Sequence, residues 1–263
     1  STDWQFFNPR AGMSFRWSER HRAFLSAAVG HREPGRADIK ENIKNAWLTD
    51  VPDVALKPEK MLDVEFGYSF QSEKVGASVN VYLMEYWDML LETGKLSNVG
   101  YAIKENVDRG WRRGLELCAS YEPLEWLRAD ANITLSSNKI RDYKEYVQNV
   151  DTYDNWAMTG RTTMYEYGNS TMLMSPSVTG MMKLTFIPWK KAAVSIDGKY
   201  VGMQYLDNTM TLSRSIPSYF VSNLSVSHTF DLNRGSLGLA LYVNNLFNNM
   251  YYADGWCWKN IIE

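Results

Sequence analysis

The chain has 263 residues, 45% of them hydrophobic and 22% charged, with a formal net charge of −2. A near-neutral chain of this length can bury a sizeable core but carries no field that favours nucleic acid, so no nucleic-acid partner is expected. The mean hydropathy is −0.37, and no run approaches the roughly 18 apolar residues that a transmembrane helix needs.

Alternation of apolar and polar residues with period two is the clearest pattern along the chain. Segments 62–70, 75–83, 127–136 and 237–244 each place apolar side chains on one face and polar side chains on the other. Such segments predict about ten β-strands of the kind that crosses a membrane without a strong hydropathy signal. Further strands are predicted to start near Phe7, Arg22, Asn106, Ser177, Ala192 and Ser218.

The connections alternate between tight and long. Tight turns are predicted at 18–21, 72–74, 122–126, 188–191 and 231–236. Long excursions are predicted at 33–57, 92–104, 141–174, 206–217 and in the tail after Asn248. Outer-membrane barrels have short periplasmic turns and long external loops, so the pattern predicts an all-β, up-and-down antiparallel transmembrane barrel. No linker divides residues 1–263, and no signature recurs at a fixed offset to favour the alternative, a propeller.

The strands have a charged polar face, which either meets water outside a dry core or lines the lumen of a barrel. Residues of both signs lie on it in mid-strand, and those predicted to face the lumen or a plug are Arg10, Asp63, Glu65, Arg112, Glu116, Arg128, Asp130, Lys183, Asp197 and Lys199. Such a lumen can form ion pairs with a folded plug, as in barrels of about 22 strands. About ten strands would then be half of the wall.

Aromatic residues gather at the ends of the apolar stripes and favour lipid outside the barrel. The residues in question are Phe7, Phe15, Trp17, Phe66, Tyr68, Phe70, Trp111, Tyr121, Phe186, Phe220 and Phe230. Two aromatic girdles at the membrane interfaces have this distribution. The alternative is that strand ends in many β-proteins carry aromatic residues.

Three stretches resemble the C-terminal barrel region of TonB-dependent outer-membrane receptors. Residues 8–17, which begin with NPR, are similar to a strand of that family, although HREP at 31–34 replaces the usual end of the next strand. LKPE at 56–59 resembles the box that opens the following strand, and VNNLFN at 243–248 resembles the VNNLFD box near the family's end. The three boxes occur in the family's order, at compatible spacing.

The resemblance implies energy-coupled uptake of a scarce nutrient across the cell outer membrane of a Gram-negative bacterium. External loops would capture a small-molecule or oligosaccharide ligand, and a TonB-type energy-coupling protein would then displace an N-terminal plug domain. The ligand classes are ferric siderophore, haem, cobalamin and oligosaccharide, so no resident cofactor is expected although the transported ligand can be a metal chelate. The plug and one final strand of the family are expected to lie outside residues 1–263.

Aromatic residues in two external segments are the candidate ligand contacts, because rigid rings with polar tips can sandwich rings or sugars. They are Tyr143, Tyr146, Tyr153, Trp156, Tyr165 and Tyr167 in the 141–174 excursion, and Trp256 and Trp258 in the tail. The alternative for both segments is structural, since a long loop also needs a small core of its own.

No motif for a nucleophile, a phosphate loop or a zinc-binding helix is present in the sequence, so an enzyme is not expected. Cys118 and Cys257 lie in no metal-ligand spacing, and no metal site is predicted. Two rival functions remain open from the residues: a passive porin-like channel, and a soluble secreted sandwich or propeller that acts as a binding module.

Overall fold

The computed structural model describes residues 4–39, 56–96, 102–151 and 157–262. The strands in chain order are β1 (Arg10–Arg16), β2 (His21–Arg32), β3 (Glu59–Gln71), β4 (Val75–Leu96), β5 (Ala102–Leu124), β6 (Leu127–Ile140), β7 (Lys144–Asp151), β8 (Ala157–Glu166), β9 (Ser170–Thr171), β10 (Val178–Phe186), β11 (Ala192–Val201), β12 (Gln204–Tyr205), β13 (Ser215–Ile216), β14 (Tyr219–Leu232), β15 (Gly235–Val243) and β16 (Asn260–Ile262). One 3₁₀ turn, Leu212–Arg214, precedes β13.

The main element is an antiparallel sheet of 11 strands. Ten of them follow the path β1-β2-β3-β4-β5-β6-β10-β11-β14-β15, and the short β9 pairs with β6. Successive strands of this path are neighbours, so the sheet is an up-and-down meander with its short turns at one end and its long connections at the other. This confirms the predicted fold class and the estimate of about ten strands.

Two of the predicted long loops were wrong in part. Residues 92–104 do not form an open loop, because β4 runs to Leu96 and β5 begins at Ala102, so that the hairpin continues as a two-stranded ladder. The 141–174 excursion contains β7 and β8, which form their own antiparallel hairpin. Strand pairing gives the backbone N–H and C=O groups hydrogen-bond partners within the protein, whereas in a long open loop these groups would depend on water. Both segments therefore form strands.

The register of the sheet aligns apolar side chains in rows across neighbouring strands. One row runs through Met13, Leu25, Phe66, Val81, Leu115 and Leu135. This apolar face is open, since Met13 is 69% exposed and Leu241 is 63% exposed. An apolar surface that extends across the whole sheet is what a lipid-facing wall requires and what water disfavours.

The compact hydrophobic core lies at the long-connection end of the sheet. It consists of Met89, Val107, Ile140, Tyr143 and Met172. These residues come from the outer parts of β4, β5 and β6 and from the connection that follows β6. The core therefore stabilises the long-connection end of the sheet. Within the described residues, no helix has the length and apolar character needed to cross a membrane.

Candidate functional site

The β7–β8 hairpin packs against the end of β4, and Tyr143 is the residue that joins them. Its side chain is only 3% exposed, and its hydroxyl donates a hydrogen bond to the Glu92 carbonyl at 3.1 Å. Burial raises the pKa of Tyr143 to about 12. Tyr167 lies beside it, with 6.2 Å between the ring centroids. Tyr143 therefore belongs to the core of the loop.

The approach of β7 to β4 is close at Gly94. This glycine has a φ of 87°, in the left-handed region that disfavours residues with a Cβ. A Cβ at this position would also collide with the Tyr146 carbonyl oxygen of β7. Glycine thus allows the hairpin to lie directly on the extended β4–β5 ladder.

The tail docks onto the same hairpin. Strand β16 pairs in parallel with β7, with Asn260 opposite Gln148 and Ile262 opposite Val150. This pairing converts two hairpin strands into a sheet of three strands, in the order β16-β7-β8. The two aromatic segments that the sequence suggests separately are therefore parts of one structure.

A network of charged side chains fixes the tail in place. The ammonium group of Lys259 forms ion pairs with the carboxylates of Glu145 and Asp207, the latter at 2.6 Å. Side-chain exposure is 18% for Lys259 and 6% for Glu145. Asp207 also accepts from the guanidinium of Arg214 at 3.2 Å. Three segments that are far apart in the chain therefore meet at one partly buried cluster.

Two neutral groups extend this network. The Tyr167 hydroxyl donates to a carboxylate oxygen of Glu145 at 3.2 Å. The thiol of Cys257 donates to Asp207 at 3.4 Å. Burial, together with the adjacent Asp207 carboxylate, raises the pKa of Cys257. Cys257 is therefore a protonated thiol donor within the cluster at neutral pH.

The connection between β11 and β14 forms the third side of this surface. Asp207 accepts hydrogen bonds from the backbone NH and the hydroxyl of Thr209, at 2.9 and 2.6 Å. Asn208 accepts from the backbone NH of Leu173 at 2.8 Å and so attaches this connection to the one that follows β6. The long connections form a single supported platform.

The predicted aromatic contacts fall into different environments on this platform. Tyr165, Trp256 and Trp258 are exposed, by 44%, 80% and 57% respectively. Tyr146 and Tyr167 are half-buried, and Tyr143 is buried. Tyr153 and Trp156 lie outside the described residues. The accessible rings are therefore those of Tyr165 and the two tail tryptophans.

Sequence reasoning missed the network around Lys259. Lys259 and Glu145 are 114 positions apart, and no spacing pattern connects them. The only signal was indirect: a lysine and two carboxylates lay in segments that were each predicted to be external.

The ten charged residues predicted to face a lumen all lie on one face of the sheet. The register places Arg10, Asp63 and Arg112 in one cross-strand row. Asp130, Lys183 and Asp197 form another row near the short-turn end. This face is opposite the exposed apolar rows. Its assignment to a lumen or a plug stays a prediction.

Local contacts on this polar face are few and specific. Asn80 donates to Glu116 at 3.3 Å, and Asn223 donates to Asp197 at 2.7 Å. Arg128 forms an ion pair with the Asp130 carboxylate at 2.8 Å. A concave region of about 610 Å³ lies on this side of β3–β6 and β10, with Arg128, Asp130 and Lys183 in its lining.

No group of three or more His, Cys, Asp or Glu side chains in the described part of the chain could hold a metal ion. His31, at the end of β2, has its Nδ1 2.7 Å from the Asn8 side-chain oxygen. Its ring stacks on Phe6 with 5.2 Å between centroids. The geometry gives His31 a role in packing the start of β1 against the end of β2.

Comparison with protein families identifies one match, which the family model describes as "TonB dependent receptor-like, beta-barrel" and which spans residues 1–246. No curated protein sequence matches the chain significantly. The matched family model describes a receptor barrel, and the similar structures named below are receptors or transporters, not enzymes.

Several solved structures share the fold. The siderophore receptor PiuA from Acinetobacter baumannii is 16% identical with a TM-score of 0.68, over 94% of this chain and 32% of PiuA. The ferric yersiniabactin uptake receptor FyuA from Yersinia pestis is 17% identical with a TM-score of 0.62, over 94% of this chain and 33% of FyuA. The FrpB iron transporter from Neisseria meningitidis is 19% identical with a TM-score of 0.61, over 96% of this chain and 37% of FrpB. The chain thus spans about a third of the structures that it matches.

Proposed function

This chain belongs to the TonB-dependent receptor family, as part of its β-barrel domain, and from that premise we propose that it forms part of a receptor that imports a scarce nutrient across the outer membrane of a Gram-negative bacterium. The apolar rows face lipid, the polar face lines the lumen, and the platform of long connections faces the exterior. The observation that carries this proposal is the combination, on one sheet, of an exposed apolar face and a charged opposite face.

The polar face supports a plug within the lumen. Charges of both signs are placed along it, as in the row of Asp130, Lys183 and Asp197. A folded plug domain that presents complementary charges to this face would form ion pairs with it and stabilise the assembly. A TonB-type protein would act on that plug to open the path.

The exposed rings of Tyr165, Trp256 and Trp258 are the proposed contacts for the nutrient. They project from a platform whose core and ion-pair network hold the backbone in place, so little conformational entropy is lost when a ligand stacks on them. Tyr143 supports this surface from the buried core and does not contact the nutrient directly.

A ferric siderophore is the proposed substrate class. The names of PiuA and FyuA describe a siderophore receptor and a ferric yersiniabactin uptake receptor. Exposed tryptophan rings suit the planar or aromatic groups of an organic chelator. A chelate of this class brings its own metal, so its recognition depends on the organic groups that surround the ion.

Uptake of radioactive iron by a strain that lacks its own siderophore receptors tests the proposal. Cells that express the full-length protein are offered a panel of ⁵⁵Fe-siderophores, with and without a functional TonB-type protein. We expect uptake of at least one chelate that stops when the TonB-type protein is deleted. Uptake that continues without it would instead identify a passive channel.

The same assay locates the binding surface. A variant with Trp256→Ala and Trp258→Ala should raise the concentration for half-maximal uptake by about tenfold, the loss of roughly 1.4 kcal/mol of stacking. Trp126→Ala is the matched control, because Trp126 is 48% exposed but lies at the short-turn end. Equal effects of the two changes would exclude a specific role for the tail tryptophans.

A further inference from the structure

A group of basic and tryptophan side chains lies on the outward face of β3 to β6, just above the apolar rows. We call it the basic–tryptophan patch and define it by Lys60, Trp87, Arg109, Trp111, Arg113 and Lys139. None of these residues belongs to the platform rings or to the charged inner face described above. The sheet therefore presents a second charged surface, on the side that faces the membrane.

The register fixes the position of the patch. Lys60, Trp87 and Arg109 are paired directly across three strands. The next row towards the short-turn end contains Glu85, Trp111 and Lys139. Because residues two apart on a strand share a face, all of these side chains are on the same face as Phe66 and Val81.

The patch adjoins the apolar rows without a gap. Arg113 is paired with Leu83, and the following row contains Val81 and Leu115. Successive rows are separated by two residues, or about 7 Å along the strand. Phe66 and Leu83 are 47% and 45% exposed just below the patch. Cations thus begin where the lipid-facing apolar surface ends, at the long-connection end of the sheet.

The tryptophan rings hold the cations in defined positions. The Lys60 ammonium is 5.5 Å from the centre of the Trp87 ring, and the Arg109 guanidinium is 6.0 Å from the same ring. Arg113 lies 5.2 Å from the centre of Trp111. These are cation–π distances, and tryptophan is also the residue most typical of the interface between hydrocarbon and headgroups.

The patch carries an excess of positive charge. Glu85 is its one internal carboxylate, and it forms an ion pair with Arg113. Lys139 donates to the Thr171 hydroxyl at 2.7 Å. In the described ranges, no ion pair involves Lys60 or Arg109. At the flanking edge, the Asp142 carboxylate is already paired with Arg141 at 3.5 Å. It therefore does not neutralise the positive charge of the patch.

We propose that the basic–tryptophan patch binds the phosphate groups of a phosphorylated lipid in the outer leaflet of the membrane. Acyl chains would lie against the exposed rings and branched side chains of the apolar rows, while Lys60 and Arg109 contact the headgroup phosphate. The charge of the patch and its place at the upper edge of the apolar surface are complementary to such a lipid. The inference rests on the proposed function only in that the apolar face is taken to meet lipid.

Native mass spectrometry of the full-length protein in detergent tests this inference directly. The probe is lipid A with both phosphates, compared with lipid A from which the phosphates have been removed. We expect the phosphorylated probe to bind, and a Lys60→Gln and Arg109→Gln double variant to weaken that binding by about 30-fold, since each cation near an anionic lipid surface contributes about a factor of five. These two changes leave no carboxylate without its ion-pair partner.

A matched double variant, Lys190→Gln and Arg234→Gln, removes the same charge from exposed positions at the short-turn end. It should bind the phosphorylated probe as the unmodified protein does. Equal affinity for the two lipid probes, or an equal loss in both double variants, would overturn the inference. Displacement of the lipid by 10 mM inorganic phosphate would also overturn it, because the patch would then recognise free phosphate.

The outcome is separable from that of the proposed uptake function. Patch variants should retain TonB-dependent uptake of the ferric siderophore, because the patch contacts neither the platform rings nor the inner face. Lipid binding without any siderophore uptake would leave this inference standing and reject the receptor proposal. Siderophore uptake that persists while phosphorylated and dephosphorylated lipid bind equally would support the receptor proposal and reject the lipid inference.

Discussion

The ring of Phe24 covers the backbone of Gly67 on the neighbouring strand, and the two residues are directly paired in the β2–β3 register. A Cβ on residue 67 would overlap the ring carbons of Phe24. Glycine at this position is therefore required by packing on the inner face, and the position offers a direct test of the register.

We expect Gly67→Ala to destabilise the barrel by about 2 kcal/mol, because overpacking forces the ring or the strand to shift. Urea unfolding in detergent micelles measures this change. Gly30→Ala is the control, since the nearest atom to a Cβ there is Met61 Cε at 3.9 Å. Adding Phe24→Ala should remove most of the extra cost of Gly67→Ala; an additive double variant would contradict the contact.

Replacement of Lys259 by methionine should release the tail from the β7–β8 hairpin. The change leaves the buried carboxylates of Glu145 and Asp207 without their shared cation, which typically costs about 3 kcal/mol. Hydrogen exchange of residues 257–262 should become faster while that of β2–β5 stays unchanged. Lys144→Met is the control, because its ion pair with Glu166 is exposed and should contribute little.

A second change distinguishes an ion-pair effect from a packing effect of Lys259. Glu145→Gln combined with Lys259→Met should restore part of the lost protection, since one uncompensated charge is removed. If the double variant exchanges faster than Lys259→Met alone, the ion pair is not the main interaction that holds the tail.

Tyr143 and Tyr165 should differ in their effects, because one is buried and the other is exposed. Tyr143→Ala removes a ring from the small core and should destabilise the β7–β8 region by about 3 kcal/mol. Hydrogen exchange of this region measures the effect. Tyr165→Ala should leave exchange unchanged and instead weaken siderophore uptake. If Tyr143→Ala instead weakened uptake and left hydrogen exchange unchanged, Tyr143 would be a ligand contact.

The thiol of Cys257 should react slowly with maleimide at pH 7. Its pKa is raised by burial and by Asp207, so a smaller fraction is thiolate than at an ordinary cysteine, with a pKa of about 8.5. In a Cys118→Ser background, the labelling rate should keep rising above pH 9. Asp207→Asn should speed labelling at pH 7, since it removes a negative charge that opposes thiolate formation. A rate that levels off below pH 8 would contradict the raised pKa.

The strands and their two faces were predictable because the two-residue period of a pleated strand is local. The alternation at 127–136 was sufficient to place Arg128 and Asp130 on the polar face and Leu135 on the apolar one. The order of strands in the sheet followed from the alternation of short and long connections.

The platform was less predictable because it depends on pairing between distant segments. Nothing local in residues 92–96 indicates that β4 continues to Leu96, since that depends on a partner in β5. Nothing near Lys259 indicates Glu145, and the burial of Tyr143 follows from core residues on three other strands. Aromatic composition identified the segments but did not separate packing rings from accessible ones.

The parallel pairing of β16 with β7 has a consequence for the order in which the protein assembles. The meander forms from contacts between neighbours in the chain, whereas Asn260 of β16 pairs with Gln148 of β7, a residue 112 positions earlier (260 − 148). Loop closure over such a distance makes this contact slow to form. We therefore expect the contact between β16 and β7 to be among the last that form during folding.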